Sequence, residues 1–168
     1  MLVRPCKPSD VARICEIYNH FVRDTVVTFE EEPVTPAEIA ARIGKVTRTL
    51  PWLVCEERGA VEGYAYASQW HARSAYRYSV ESSIYLAPEC VGRGLGAALY
   101  ARLLDELPPL GIHCVIAGIA LPNPASVALH EKFGFVKVGH LHDVGYKLGR
   151  WVDDGYWERM LQPPATSK

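Results

Sequence analysis

The chain has 168 residues, 49% of them apolar and 22% charged, enough for one globular domain burying roughly two-thirds of its extended-chain surface. Eighteen basic against nineteen acidic residues leave a formal charge of −1, which excludes a global cationic field drawing in nucleic acid or an anionic membrane; any anion must be held locally. The longest apolar runs, such as Cys114 to Pro122, are about half of a bilayer crossing, and the first residues lack a signal-peptide core, so the expectation is a soluble, cytoplasmic protein with no membrane or nucleic-acid partner.

Leu2-Val3-Arg4-Pro5 reads as a short edge strand. Ser9 then caps a helix whose Val11, Ile14, Ile17, Tyr18 and Phe21 recur at helical spacing. After a loop from Arg23 to Pro33, Thr35-Pro36-Ala37-Glu38 opens a second helix with a capping box, proline in the first turn, and Ile39, Ile43 and Val46 facing inward. From Trp52 the pattern shortens to apolar runs at Trp52 to Cys55, Gly63 to Trp70 and Tyr78 to Leu86, an antiparallel meander. A helix from Leu95 to Leu107 carries leucines at 95, 99, 103 and 107 on one face and is stopped by Pro108-Pro109. Ile112 to Ile119 reads as a buried strand, Asn123-Pro124 opens a helix ending before Gly134, and strands return from Phe135 to the Trp157 region. The order is β-α-α-β-β-β-α-β-α-β-β, an α/β (α+β mixed) fold on a mixed sheet. It forms one domain over residues 1–162, with 163–168 as a flexible tail.

Five cysteines at 6, 15, 55, 90 and 114 are an odd number, never spaced Cys-x-x-Cys, and read as structural thiols. His140 and His142 alternate to one face of a strand, but no cysteine pair lies nearby to complete four ligands, so no metal is expected.

The chemistry concentrates where strand Ser83 to Leu86 runs through Gly92-Arg93-Gly94-Leu95-Gly96-Ala97 into the leucine-faced helix. Amides freed at a helix start, beside residues without side chains, form an anion cradle. The P-loop ending is absent. A dinucleotide fingerprint fits as Gly92-x-Gly94-x-x-Ala97, but no Asp or Glu stands between Leu107 and His130 to take the ribose, which leaves NAD a weak alternative.

That turn, with Asn123 and Leu129-His130-Glu131-Lys132-Phe133-Gly134-Phe135 downstream, resembles the GNAT superfamily of acetyl-CoA-dependent N-acetyltransferases. The closer resemblance is to its phosphinothricin and methionine-sulfoximine acetyltransferase branch, through Thr28-Phe29-Glu30, Trp70-His71-Ala72-Arg73 with Tyr76, Glu81-Ser82-Ser83-Ile84-Tyr85-Leu86, Leu121-Pro122-Asn123-Pro124 with Ser126, and Gly145-Tyr146-Lys147 with Gly149-Arg150-Trp151. Two positions depart from the wider superfamily: Val91 stands where Gln or Arg is usual, and His130 where many members carry tyrosine.

The resemblance implies a mostly antiparallel sheet flanked by helices, acetyl-CoA as acetyl donor, and a homodimer. It makes Glu81 the base and His130 the acid for the leaving thiolate. It sets the main chain of Ile84, Tyr85 and Leu86 against the pantetheine arm, residues Gly92, Arg93, Gly94, Leu95, Gly96 and Ala97 at the pyrophosphate, and Asn123 and Ser126 along the cofactor. Phe29, His71, Arg73, Tyr76 and Ser83 fall to the acceptor, arginine being suited to a bidentate contact with carboxylate or phosphinate. Lys147 and Arg150 could also meet an anionic acceptor, across a dimer interface. The implied reaction is direct attack of the α-amine of a small amino acid analogue on the thioester. A non-catalytic acyl-CoA sensor, or an enzyme acting on another amine, are the alternatives.

Overall fold

A computed structural model describes residues 1–90 and 92–161; Val91, the 162 boundary and the tail at 163–168 lie outside the described residues. Seven strands form one sheet: β1 (Leu2–Pro5), β2 (Trp52–Glu57), β3 (Ala60–Gln69), β4 (Ser79–Leu86), β5 (Cys114–Leu121), β6 (Val136–Lys147) and β7 (Arg150–Met160). Four α-helices accompany them: α1 (Val11–Asp24), α2 (Pro36–Val46), α3 (Leu95–Glu106) and α4 (Pro124–Lys132). The spatial order is β1-β2-β3-β4-β5-β7-β6, and only the β4–β5 pair is parallel. Element order and mixed sheet are those expected from the hydrophobic periods.

Local chemistry explains the boundaries. Thr35 closes the capping box, its Oγ1 accepting the Glu38 N–H at 3.3 Å while the Glu38 carboxylate accepts the Thr35 N–H at 2.7 Å. At α1 the start differs from expectation: a 3-10 turn, Pro8–Asp10, leads in, and Asp10 rather than Ser9 organises it. The Asp10 carboxylate accepts the Lys7 N–H at 2.7 Å and is gripped by the Arg4 guanidinium at 2.7 and 2.9 Å, which holds the acid below its ordinary range. The sequence pattern missed this because the partner, Arg4, comes from β1.

Leu95, Leu99, Leu103 and Leu107 are all buried against the sheet. At about 2 kcal/mol each, they anchor the helix that follows the glycine turn. The opposite layer is α1, whose Ile14, Ile17, Tyr18 and Val22 are buried. All five cysteines are free thiols and four are buried. β6 and β7 turn through Leu148 and Gly149 at φ of 51° and 76°, the left-handed pair that suits a tight hairpin.

Candidate active site

Strands β4 and β5 pair over only three positions, Ser79 with Cys114, Val80 with Val115 and Glu81 with Ile116. Each then follows its outer neighbour: β4 stays on β3 as far as Leu86, and β5 stays on β7 as far as Leu121. The sheet therefore splits at Glu81, and the inner edges beyond it have no ladder partner. An extended chain with its own amides can pair with such an edge. A cavity fills the split, lined by Ser82, Ile84, Tyr85, Asn123, Ser126 and His130 among others. Four residues expected along a cofactor, Ile84, Tyr85, Asn123 and Ser126, thus come together from β4 and α4 with His130, the expected acid, and with Leu86 at the end of the same edge.

The glycine turn sits where β4 leads into α3. Gly92 and Gly94 have φ of 82° and 80°, so glycine is required there by conformation, and Gly94 is the N-cap of α3. Gly96 has a different reason. A Cβ there would approach Leu86 Cδ1 to 3.2 Å and Ile84 Cδ1 to 3.8 Å, so its absence lets α3 lie close on β4. The first amides of α3, from Leu95 to Ala97, precede any intrahelical carbonyl, which is the arrangement expected of an anion cradle, although the Leu95 side chain itself is in the core. Arg93 is exposed and ion-pairs with Glu57. The antiparallel β3–β4 pair flanking the turn is incompatible with a doubly wound dinucleotide fold, which removes the NAD reading.

Asn123 caps α4, its Oδ1 accepting the Ser126 N–H at 3.1 Å, which leaves the amide nitrogen as its remaining polar group. His130 is buried between Tyr100 and Phe135, with ring centroids at 4.9 and 5.2 Å. Its Nδ1 lies 2.7 Å from the Ser126 carbonyl, and burial pulls its pKa down. A neutral ring whose Nδ1–H donates to a carbonyl presents Nε2 as an acceptor.

On the other side of β4, alternation turns Glu81, Ser83 and Tyr85 toward a second cavity, shared with Val27, Thr28, Phe29, Gly118, Ala120 and Asp154. Burial and the neighbouring Asp154 raise the Glu81 pKa; burial raises that of Asp154, against the lowering effect of the nearby Tyr156 hydroxyl. Gly118 separates the two acids: a Cβ there would stand 3.4 Å from Glu81 Oε1 and 3.7 Å from Asp154 Oδ2. The two cavities share Val27, Ser83, Tyr85, Gly118 and Ala120 and so are continuous through the split. Sequence reading missed Asp154 and Gly118. The available signal was an acid pair, Asp153-Asp154, inside a strand, where Asp is disfavoured.

Phe29 reaches this cavity because Gly145 on β6 has no side chain; a Cβ there would strike the ring at 2.7 Å. Arg73, His71 and Tyr76 stand apart from it. His71 packs between Trp70 and Tyr76, Trp70 meets Tyr156 at 5.9 Å, and through Tyr156 this exposed link adjoins Asp154. Arg73 is exposed at the start of the short Ser74–Tyr76 turn. Lys147 departs from expectation. It is 2% exposed, with Nζ donating to the carbonyls of Thr28 at 2.7 Å and Phe21 at 3.3 Å. It fastens the loop carrying Phe29 and does not meet an anion.

Residues 3–156 match the family described as Acetyltransferase (GNAT) domain. The phosphinothricin N-acetyltransferase of Streptomyces viridochromogenes is 42% identical over 99% of this chain and 91% of its own length. The L-methionine sulfoximine/L-methionine sulfone acetyltransferase of Salmonella typhimurium is 38% identical over 99% of this chain and 98% of its own. A GNAT superfamily phosphinothricin acetyltransferase from Sinorhizobium meliloti, solved with acetyl-CoA, superposes at a TM-score of 0.93 with 41% identity, covering 99% of this chain and 91% of that one.

Proposed function

Since this chain belongs to the GNAT acetyltransferase family, we propose that it transfers acetyl from acetyl-CoA to the α-amino group of a small amino acid analogue of the phosphinothricin or methionine sulfoximine type. The observation that carries this reading is the split at Glu81. A groove suited to an extended thioester arm opens there onto a cleft holding two half-buried carboxylates.

The chemistry follows from the groups in place. The acceptor arrives as an ammonium, which two acids attract, and Glu81, its proton affinity raised by burial, takes the proton and frees the nucleophilic lone pair. The amine nitrogen attacks the thioester carbonyl. A C–N bond forms, the C–S bond breaks, the second nitrogen proton passes to solvent as the intermediate collapses, and main-chain N–H groups on the free edge of β4 stabilise the oxyanion. His130 presents an acceptor, so we assign it to shaping the groove, in place of the proton-donor role implied by the resemblance; solvent protonates the thiolate. The cradle from Gly92 to Ala97, with Asn123 and Ser126, serves the cofactor. Phe29 and Ser83 wall the acceptor, and the exposed link carrying Arg73, His71 and Tyr76, which stands outside this cavity and adjoins it through Trp70 and Tyr156, is assigned the acceptor's anionic end.

The unit doing this is one domain over residues 1–162, working in the cytoplasm; among the described residues no helix is long and apolar enough to cross a membrane. A homodimer accounts for the outer hairpin, where Val136, Val138, Val144, Tyr146, Leu148 and Trp151 are each more than half exposed. Light scattering should give twice the chain mass, and a monomer would refute the dimer.

The deciding experiment supplies purified protein with acetyl-CoA and a panel of amines and detects released thiol. Turnover should be highest with phosphinothricin or methionine sulfoximine. Tight acetyl-CoA binding without thiol release from any amine would favour the sensor reading instead.

A further inference from the structure

His140 and His142 share one face of β6, and an irregularity in the hairpin sets an acid against both. The β6–β7 register runs to Leu141 with Asp154 and resumes at Gly145 with Val152, so residues 142–144 bulge opposite Asp153. Asp143, inside this bulge, takes a φ of 49°. The two imidazoles stack with centroids 4.3 Å apart, and His140 Nε2 and His142 Nδ1 lie 2.7 and 3.3 Å from the same atom, Asp153 Oδ2. All three atoms fall within 4.8 Å of one another.

We propose that His140, His142 and Asp153 bind a divalent transition-metal ion of the zinc class, clipping β6 to β7 across the bulge. Two imidazole nitrogens and a carboxylate oxygen form a borderline donor set, and the exposed position leaves a fourth site for water. Tetrahedral zinc with bonds of about 2.0–2.1 Å sets its ligand atoms about 3.3 Å apart; the His142–Asp153 spacing of 3.3 Å already matches, while the 2.7 Å hydrogen bond from His140 must open by about 0.6 Å, which the exposed imidazoles can supply by rotation. The carboxylate is already oriented, because Asp153 Oδ1 accepts the Asp143 N–H at 2.9 Å. Counting histidines and cysteines could not find this site. Its third ligand is distant in sequence and is aligned by the bulge.

The geometry also identifies a competitor. Lys137 Nζ is 3.0 Å from His140 Nδ1, a contact that requires Nδ1 to accept and Nε2 to carry the proton toward Asp153. Metal at Nε2 displaces that proton, the proton must reside on Nδ1, and Lys137 must leave. Asp153 and Asp154 are consecutive in a strand and face opposite sides, so the ion takes no part in the acceptor cleft.

Zinc(II) is titrated into the untagged full-length chain against a chromophoric chelator, with cobalt(II) spectra to identify the donors. The expected result is one ion per chain, weakened about tenfold or more by His142→Ala and by Asp153→Asn, and tightened several-fold by Lys137→Gln. Zinc should raise the melting temperature of the native chain but not of the His140→Ala/His142→Ala variant, with acetyl-CoA turnover unchanged in both. Equal zinc affinity in that double variant, a thiolate-to-cobalt charge-transfer band, or no binding would overturn the proposal.

Discussion

The two sides of the split between β4 and β5 are built from different materials. Toward α3 and α4 the groove consists of glycine-turn amides, an unpaired strand edge and neutral side chains: Asn123 spent on a helix cap, Ser126, and a His130 kept uncharged by burial. Toward the α1–α2 loop the cleft holds two carboxylates whose proton affinity is raised, walled by Phe29. One side offers main-chain amides with the exposed Arg93 beside them, and the other holds acids whose proton affinity is raised. The near-neutral charge of the whole chain is compatible with both, since each field is local.

Glu81→Gln should break the reactive side alone. Turnover should fall by roughly 10²–10⁴-fold while acetyl-CoA affinity, measured by calorimetry, stays within a factor of about two. Equal loss of binding would mean that Glu81 belongs to the groove. Gly94→Val attacks the other side, forcing a β-branched residue to a φ of 80°; that conformation costs on the order of 1–2 kcal/mol, and acetyl-CoA affinity should weaken about tenfold with little change in kcat at saturation.

Asp154→Asn tests the coupling inside the cleft. Asp154 raises the Glu81 pKa by like-charge repulsion, so its removal should lower that pKa. The base is active when deprotonated, and the acid limb of the kcat/KM profile should therefore move to lower pH. A limb that stays in place would sever the two acids. The smallest effect should come from His130→Gln, which keeps an acceptor in the groove: turnover should fall by less than about threefold, whereas a loss of about 10²-fold would restore His130 as the acid.

Legibility followed the same division. The donor side is a local affair: strand, glycine turn and leucine-faced helix are consecutive, and the conformational demand at Gly92 and Gly94 is written in residue type. Gly96 was readable as a glycine, but its reason, the approach of Leu86 and Ile84, was not. The acceptor side joins residues from the α1–α2 loop, β4, β5 and β7, so Gly118 carried no single-segment signal, and the Asp153-Asp154 pair marked an oddity in a strand without saying which acid it would meet. Lys147 shows the hazard directly: an isolated cation near an aromatic run reads as an anion contact, yet its ammonium is consumed by two backbone carbonyls.

By itself the sequence determined the class of fold, the order of its elements, the glycine turn before the leucine-faced helix and the family resemblance, because periodicity, caps and glycine conformations are properties of neighbouring residues. Tertiary structure alone decided where β4 leaves β5, which acid stands beside Glu81, that His130 is buried with Nδ1 against a carbonyl, and that a bulge brings Asp153 to two histidines. Each of those is a juxtaposition of distant segments, fixed by strand register and burial, and neither quantity exists until the sheet has closed.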